Sequence, residues 1–350
     1  MTIDLSTLTF TNGDDIFLGL GIKKMVNSGH VYTLGGNDIL TGTATNTRDT
    51  AGFENRGTIN TGAGNDRITG IGSLSTGIDN KLGSTINTGA GDDTIIGTTS
   101  TSVANFSVGI LNVGKIFTGT GNDRITASGT TGIDNQGKID TGTGNDTITS
   151  SGSRYGILNS GKIFTGAGHD TIAAITTNGI RGINNNATAT IDTGTGDDTI
   201  VGKASSVGIF NLGKIDTGTG NDIITGTSVT KVGCGIYNDG TIDTGAGRDL
   251  VDALRSGFQG NGYINLGDGN DTIKGFGTGH FDGGTGRDTL ILGAGIYTVA
   301  AKKNLEGFYT ISNGITEMQV KNFESIGGNT DPTHLISFAA VIGHGKFIIS

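Results

Sequence analysis

Apolar positions in this chain fall in short alternating fragments such as GIDN at 132–135, KIDT at 138–141 and TIT at 147–149, each cut off by glycine. Alternation at period two predicts β-strands with one face buried. No stretch before residue 292 keeps a helical period over ten residues, and every glycine there would cost a helix roughly 1 kcal/mol. Self-comparison gives the larger plan. GIDNQGKIDTGTGNDTIT (132–149), GILNSGKIFTGAGHDTIA (156–173) and GIFNLGKIDTGTGNDIIT (208–225) are one phrase with few changes.

Its most constant part is T-G-x-G-x-D-x-I, anchored on Asp66, Asp93, Asp123, Asp146, Asp170, Asp198, Asp222 and, with Val at the Ile position, Asp249, with looser copies at Asp15, Asp38, Asp271 and Asp288. Neighbouring anchors lie 17 to 30 residues apart. A unit of about 25 residues with two or three short strands and inward isoleucines cannot bury its apolar face alone, so the units stack. The expected fold is all-β: a parallel β-helix or β-roll-like solenoid over 1–291, with a small C-terminal β cap over 292–350. From Leu292 the repeat stops, three of the four glutamates appear, and alternation predicts three or four antiparallel strands around the turn Ser312, Asn313, Gly314. A second recurrent polar residue is Asn55, Asn80, Asn112, Asn135, Asn159, Asn185, Asn211 and Asn238. Two readings stand for it: a stacked hydrogen-bonded ladder, or tolerance of a left-handed turn.

Composition agrees. Glycine supplies 66 of 350 residues, proline one and tryptophan none, which excludes an oily helical core and, with irregular glycine spacing, collagen. The 32 acids are 28 Asp and 4 Glu, net charge is −9, and Lys and Arg are scattered singly. No basic stripe offers a site for nucleic acid or anionic lipid, and no segment reaches the roughly 18 apolar residues of a membrane span. The single Cys234 permits no internal disulfide, so another staple is expected. Glycines that bend the backbone and bring carbonyls toward a carboxylate offer hard oxygen ligands, which suit Ca²⁺ better than Mg²⁺ or Zn²⁺. Two carboxylates ~4.8 Å apart repel by about 0.9 kcal/mol even in bulk water. Across eleven neighbouring pairs this is on the order of 10 kcal/mol, comparable with a whole domain's ~5–15 kcal/mol stability. Multiple calcium ions on the twelve aspartates are therefore expected, with Asn145 an outward spacer.

The motif resembles the nonapeptide G-G-x-G-x-D-x-U-x of the RTX (repeats-in-toxin) calcium-binding proteins. GGTGRDTLI at 283–291 fits every position; the other good copies carry Thr first, and each coil holds one nonapeptide. The resemblance covers roughly residues 9–291. It implies calcium-driven folding outside the cell and type I export through an uncleaved C-terminal signal. That accords with an N-terminus, MTIDLSTLTFTNGDD, that lacks the n-region, h-region and cleavage site of a signal peptide. The segment 292–350 is expected to serve as cap, export signal or both.

No H-E-x-x-H or G-x-S-x-G signature occurs, and the histidines, His30, His169, His280, His334 and His344, are dispersed. The expected function is a non-enzymatic, secreted, calcium-binding structural or cell-surface protein of a layer, sheath or filament. Surface polysaccharide is a further candidate partner. The alternatives are a β-helix polysaccharide lyase or epimerase, and an ice-binding or adhesin solenoid. Against ice, the residues flanking the motif Ile, such as Arg67 and Thr69, Thr94 and Ile96, or Leu250 and Asp252, break a Thr-x-Thr face. Self-association is expected on two grounds: no obvious N-terminal cap, and outward Leu111, Phe117, Leu158, Phe164, Phe210 and Tyr237 unless the insertion 98–108 covers them.

Overall fold

Three short strands per coil stack in parallel, and their isoleucines form three continuous internal columns. One runs through Ile95, Ile125, Ile148, Ile172, Ile200 and Ile224. A second passes through Ile110, Ile133, Ile157, Ile183, Ile209 and Ile236, and a third through Ile116, Ile139, Ile163, Ile191, Ile215 and Ile242. Every one of these side chains is fully buried, at roughly 1.5–3 kcal/mol each. Two of the ladders belong to one 23-stranded sheet and the third to a 15-stranded sheet. Long strands such as Arg124–Asn135 and Thr147–Asn159 carry both ladders of the larger sheet. The molecule, a computed structural model describing residues 2–19, 24–44, 51–73, 75–99, 106–230, 232–329 and 335–349, is a parallel β-solenoid with coils of about 26 residues.

The two readings of the recurrent asparagine are resolved in favour of the ladder. Asn27, Asn55, Asn80, Asn112, Asn135, Asn159, Asn185, Asn211 and Asn238 are all buried. Each Nδ2 donates to the Oδ1 of the next at 2.7–2.9 Å. The second amide hydrogen of each reaches a backbone carbonyl, as from Asn112 to Lys138 at 2.9 Å. None lies in the left-handed region; among described residues other than glycine, only Leu34 and Asn322 do. Asn27 extends the ladder by one rung that the G-[IF]-x-N pattern does not show.

The ends are closed differently from the expectation at one side. At the N-terminus the 3-10 turn Leu5–Thr7 inserts Leu5, fully buried, into the end of the core, and Leu8, Phe10 and Phe17 pack against it. The first coil thus does have a plug, although Ile16, Leu18, Tyr32 and Leu34 remain exposed. At the other end the parallel stacking continues past Ile291: Glu317–Lys321 pairs with His280–Asp282 and Ser325–Gly328 with Thr289–Leu292. Antiparallel strands then seal the edge. Tyr309–Ser312 pairs with Glu317–Lys321, and Gly295–Val299 pairs with both Tyr309–Ser312 and Lys346–Ile349. A short helix, Phe338–Val341, buries Phe338 and Val341.

The outward aromatic wall is not bare. Leu111, Phe117, Leu158, Phe164, Phe210 and Tyr237 point out but are half-buried. Lys138 sits over Phe117 and Phe164 with its Nζ 5.2 and 5.0 Å from the ring centroids. Arg181 lies 3.4 Å from the centre of Phe210, which stacks on Tyr237. Residues 100–105 of the insertion expected to cover this wall lie outside the described residues.

Glycine is required where coils touch backbone to backbone in the aspartate turn. Gly142 has φ +99°, and a Cβ there would stand 2.0 Å from the Gly119 carbonyl oxygen. The equivalent position at the end of the first coil holds Leu34 at φ +76°, with a strain on the order of 1 kcal/mol. Thermal denaturation is expected to show Leu34→Gly neutral or up to about 1 kcal/mol more stable, and Gly142→Ala destabilised by several-fold more. In the same assay Asn135→Ala should cost about 2–4 kcal/mol, because it strands buried groups on Asn112 and Asn159.

Candidate metal centre

The twelve sequence-anchored aspartates, Asp15, Asp38, Asp66, Asp93, Asp123, Asp146, Asp170, Asp198, Asp222, Asp249, Asp271 and Asp288, form one column along the solenoid. The backbone N–H of each donates to Oδ1 of the next at 2.7–2.9 Å. From Asp38 to Asp288 the side chains are 0–1% exposed. In all eleven of these, Oδ2 is buried with no hydrogen-bond donor. Asp15 differs: its Oδ2 accepts the Thr11 N–H at 2.8 Å.

The threonine that opens most turns is part of the same construction. Thr61, Thr88, Thr118, Thr141, Thr165, Thr193 and Thr217 are fully buried, and each hydroxyl donates to the carbonyl of the next turn's threonine at 3.0–3.3 Å. Its single proton is thereby directed away from the adjacent carboxylate. Position one of the motif reads as an unexplained replacement of Gly in the sequence; here it is a ladder of its own.

A further line of contacts was not legible as such. The spacer before each aspartate is exposed, as expected for Asn145, yet it also hydrogen-bonds from coil to coil. Asn122 Oδ1 accepts the Asn145 N–H, Asn145 Oδ1 accepts the His169 N–H, and His169 Nδ1 accepts the Asp197 N–H, each at 2.8 Å. Asn, Asp and His share an acceptor at that reach, which is the signal in the motif's x-position. His280 lies elsewhere, stacked on Tyr263 near Glu306, and His334 lies outside the described residues.

Burial of unpaired oxygens sets the electrostatics. It pushes the carboxyls of Asp93, Asp146, Asp198 and Asp249 up to about 7, against the pull of the preceding rung's N–H, and neighbouring rungs add to the rise. Asp288 also rises to about 7, from burial first, with Asp271 and Glu324 adding. Asp38, Asp66, Asp123, Asp170, Asp222 and Asp271 shift the same way, with burial again the leading cause.

Two partners can satisfy such a column, protons or cations. A cation here fits a particular chemistry. Among the described residues no three His, Cys, Asp or Glu side chains gather at one point, so carboxylate oxygens alone do not complete a shell and backbone carbonyls must contribute. Calcium accepts that mixture, whereas zinc requires His or Cys.

No protein-family model matches this chain, and no curated protein matches it significantly. Among solved structures it is similar to the crystal structure of a hyperactive, Ca²⁺-dependent, β-helical antifreeze protein from an Antarctic bacterium. The two share 21% identity with a TM-score of 0.50, over 83% of this chain and 77% of that one. At this identity the likeness is one of fold. No helix among the described residues is long and apolar enough to cross a membrane.

The raised carboxyls give a signed pH dependence. In the native state Asp93, Asp146, Asp198, Asp249 and Asp288 keep protons up to about pH 7, whereas unfolded aspartates release theirs near about 4. Between these limits the native chain binds more protons, so stability falls as pH rises. In chelator the melting midpoint is therefore expected to be highest near pH 4 and to drop steadily through pH 7. A midpoint that climbs over this range would contradict the buried, unpaired state of Oδ2.

Proposed function

We propose that this chain is an RTX-type calcium-binding solenoid with a structural or cell-surface role outside the cell, and not an enzyme. The observation that carries the reading is the register of eleven buried carboxylate oxygens without donors. Asp38 to Asp288 would hold the ions together with carbonyls of the glycine turns, the cation replacing the protons that burial otherwise imposes. The Ca²⁺ dependence named for the structural neighbour supports the same assignment. Extracellular modules bind calcium at roughly 10⁻⁴–10⁻³ M, so such sites are empty in the cytosol and filled outside. Export of an unfolded chain followed by folding in calcium is consistent with that difference. The C-terminal tail, folded here into the cap through Lys346–Ile349, would carry the export signal.

Assembly into a layer or filament is supported less by the aromatic wall, which Lys138 and Arg181 cover, than by the first coil, where Ile16, Leu18, Tyr32 and Leu34 are exposed. Ice binding is a second reading, favoured by the named activity of the neighbour. The outer edge of the turns presents Thr120, Thr143, Thr195 and Thr219 beside a hydrogen-bonded row of spacers, but Ala63, Ala90 and Ala167 and the bulky His169, Arg248 and Arg287 interrupt it.

Calcium titration monitored by circular dichroism and size-exclusion chromatography tests the main reading. At about 10 mM calcium each occupied site should add roughly 1–3 kcal/mol, and the fall in stability between about pH 4 and pH 7 should disappear. Asp146→Asn keeps an acceptor for the Asp123 N–H and should lose part of the calcium response, while Asn145→Ala should retain it. Identical spectra and midpoints in calcium and in excess EDTA would overturn the assignment. Thermal hysteresis in calcium, absent in EDTA, would select the ice-binding reading.

A further inference from the structure

The aspartate column does not end on an aspartate. The N–H of Asp288, the last motif residue, donates to Oε2 of Glu324 at 2.7 Å. Glu324 belongs to the cap, in the turn between the strands Glu317–Lys321 and Ser325–Gly328. Register fixes its place. Lys321 pairs with Asp282 and Ser325 with Thr289, so the three residues Asn322, Phe323 and Glu324 occupy the level where the preceding coil spends six on GGTGRD. Asn322 makes the shortened turn by adopting φ +57°, Phe323 is buried against the core, and Glu324, longer than Asp by one methylene, reaches back to the Asp288 N–H.

At this last level the oxygen environment is distinct. Asp288 is 0% exposed and its Oδ2 has no donor. No threonine stands beside it, because the turn opens with Gly283, where a Cβ would lie 2.9 Å from that Oδ2 and 2.0 Å from the Asn322 carbonyl oxygen. Thus an unpartnered buried carboxylate oxygen and the Asn322 carbonyl lie side by side at Gly283, and the exposed Glu324 carboxylate stands one hydrogen bond from the Asp288 backbone where the cap meets the solenoid. Lys321 and Asn322 are engaged with Asp282, at 2.9 and 2.7 Å, which leaves no cation of the chain's own on Asp288 or Glu324 among the described contacts.

We propose that Glu324 is the thirteenth rung of the carboxylate column, after the twelve aspartates, and that a calcium ion shared between Asp288 and Glu324 latches the C-terminal cap onto the last coil. The inference rests on the calcium reading of the column and adds to it a function for the cap: docking of the cap and occupancy of the terminal site are linked, each strengthening the other. The solenoid is then sealed more firmly in calcium and loosened at one end without it, while the parallel pairing of Glu317–Lys321 and Ser325–Gly328 with the last coil and the hydrogen bonds at Asp288 hold the cap's resting position.

Hydrogen exchange of the full chain, with calcium stoichiometry measured in parallel by equilibrium dialysis, tests this. In the wild type, calcium should slow exchange in Glu317–Lys321 and Ser325–Gly328 by about tenfold or more. Glu324→Gln keeps an oxygen for the Asp288 N–H but removes the charge, so it should bind one ion fewer and lose the calcium-dependent protection of the cap, with central strands such as Thr147–Asn159 responding as in the wild type. Asp288→Asn should reproduce that pattern from the solenoid side, and Asp146→Asn should spare the cap. Full stoichiometry and a wild-type cap response in both Glu324→Gln and Asp288→Asn overturn the latch. A wild type whose central coils respond to calcium while its cap does not overturns the latch alone. One in which neither responds overturns the calcium column as well.

Discussion

A column of carboxylates taken out of water is the constraint on which the rest of this molecule depends. From Asp38 to Asp288 each aspartate spends one oxygen on the N–H of its neighbour, which fixes the coil spacing and satisfies a buried donor, and keeps the other oxygen without any donor at all. An ionised group in that position is costly unless a proton or a cation joins it. The fold therefore has built into it a demand for positive charge, spread evenly along its length.

The surrounding ladders exist at the same spacing and make that demand tolerable. Asparagine, threonine and isoleucine columns repeat once per coil, so a rung that is individually marginal is held by identical rungs above and below. Because contacts in a solenoid are between neighbours, stability is close to a sum of such interfaces. Loss of one carboxylate partner is then felt locally, and the two ends, which each have only one neighbour, need separate solutions. The N-terminal end uses Thr11 on Asp15 and Leu5 in the core; the C-terminal end uses the cap.

Strand periodicity, coil length and the aspartate register were readable from sequence because each is a local pattern repeated many times. The three isoleucine columns follow directly from alternation. What escaped was whatever occurs once. Leu5 as a plug sits in a segment with no repeat to compare, Asn27 in a divergent first coil, and Glu324 outside the motif altogether in a turn three residues shorter. The covering of Phe117, Phe164 and Phe210 by Lys138 and Arg181 depends on side chains from different coils, which alternation alone does not align. The spacer row was hidden for another reason: Asn, Asp and His look interchangeable as solvent-facing residues, and their shared acceptor geometry matters only once coils are stacked.

The buried ladders share one sense. Asparagine amides, threonine hydroxyls and the aspartate N–H groups all donate toward the C-terminal coil, while the row running the opposite way, through Asn145 and His169, lies in water. Strand-to-strand bonds alternate and largely cancel, but aligned side-chain dipoles add, and a chain of hydrogen bonds polarises itself further. The interior is thus an axial dipole whose positive pole faces the cap, comparable in kind to the N-terminus of a helix. A carboxylate at that pole meets the uncancelled donor ends of the last rungs, so the end of the solenoid beside the cap favours negative charge whatever the number of coils beneath it.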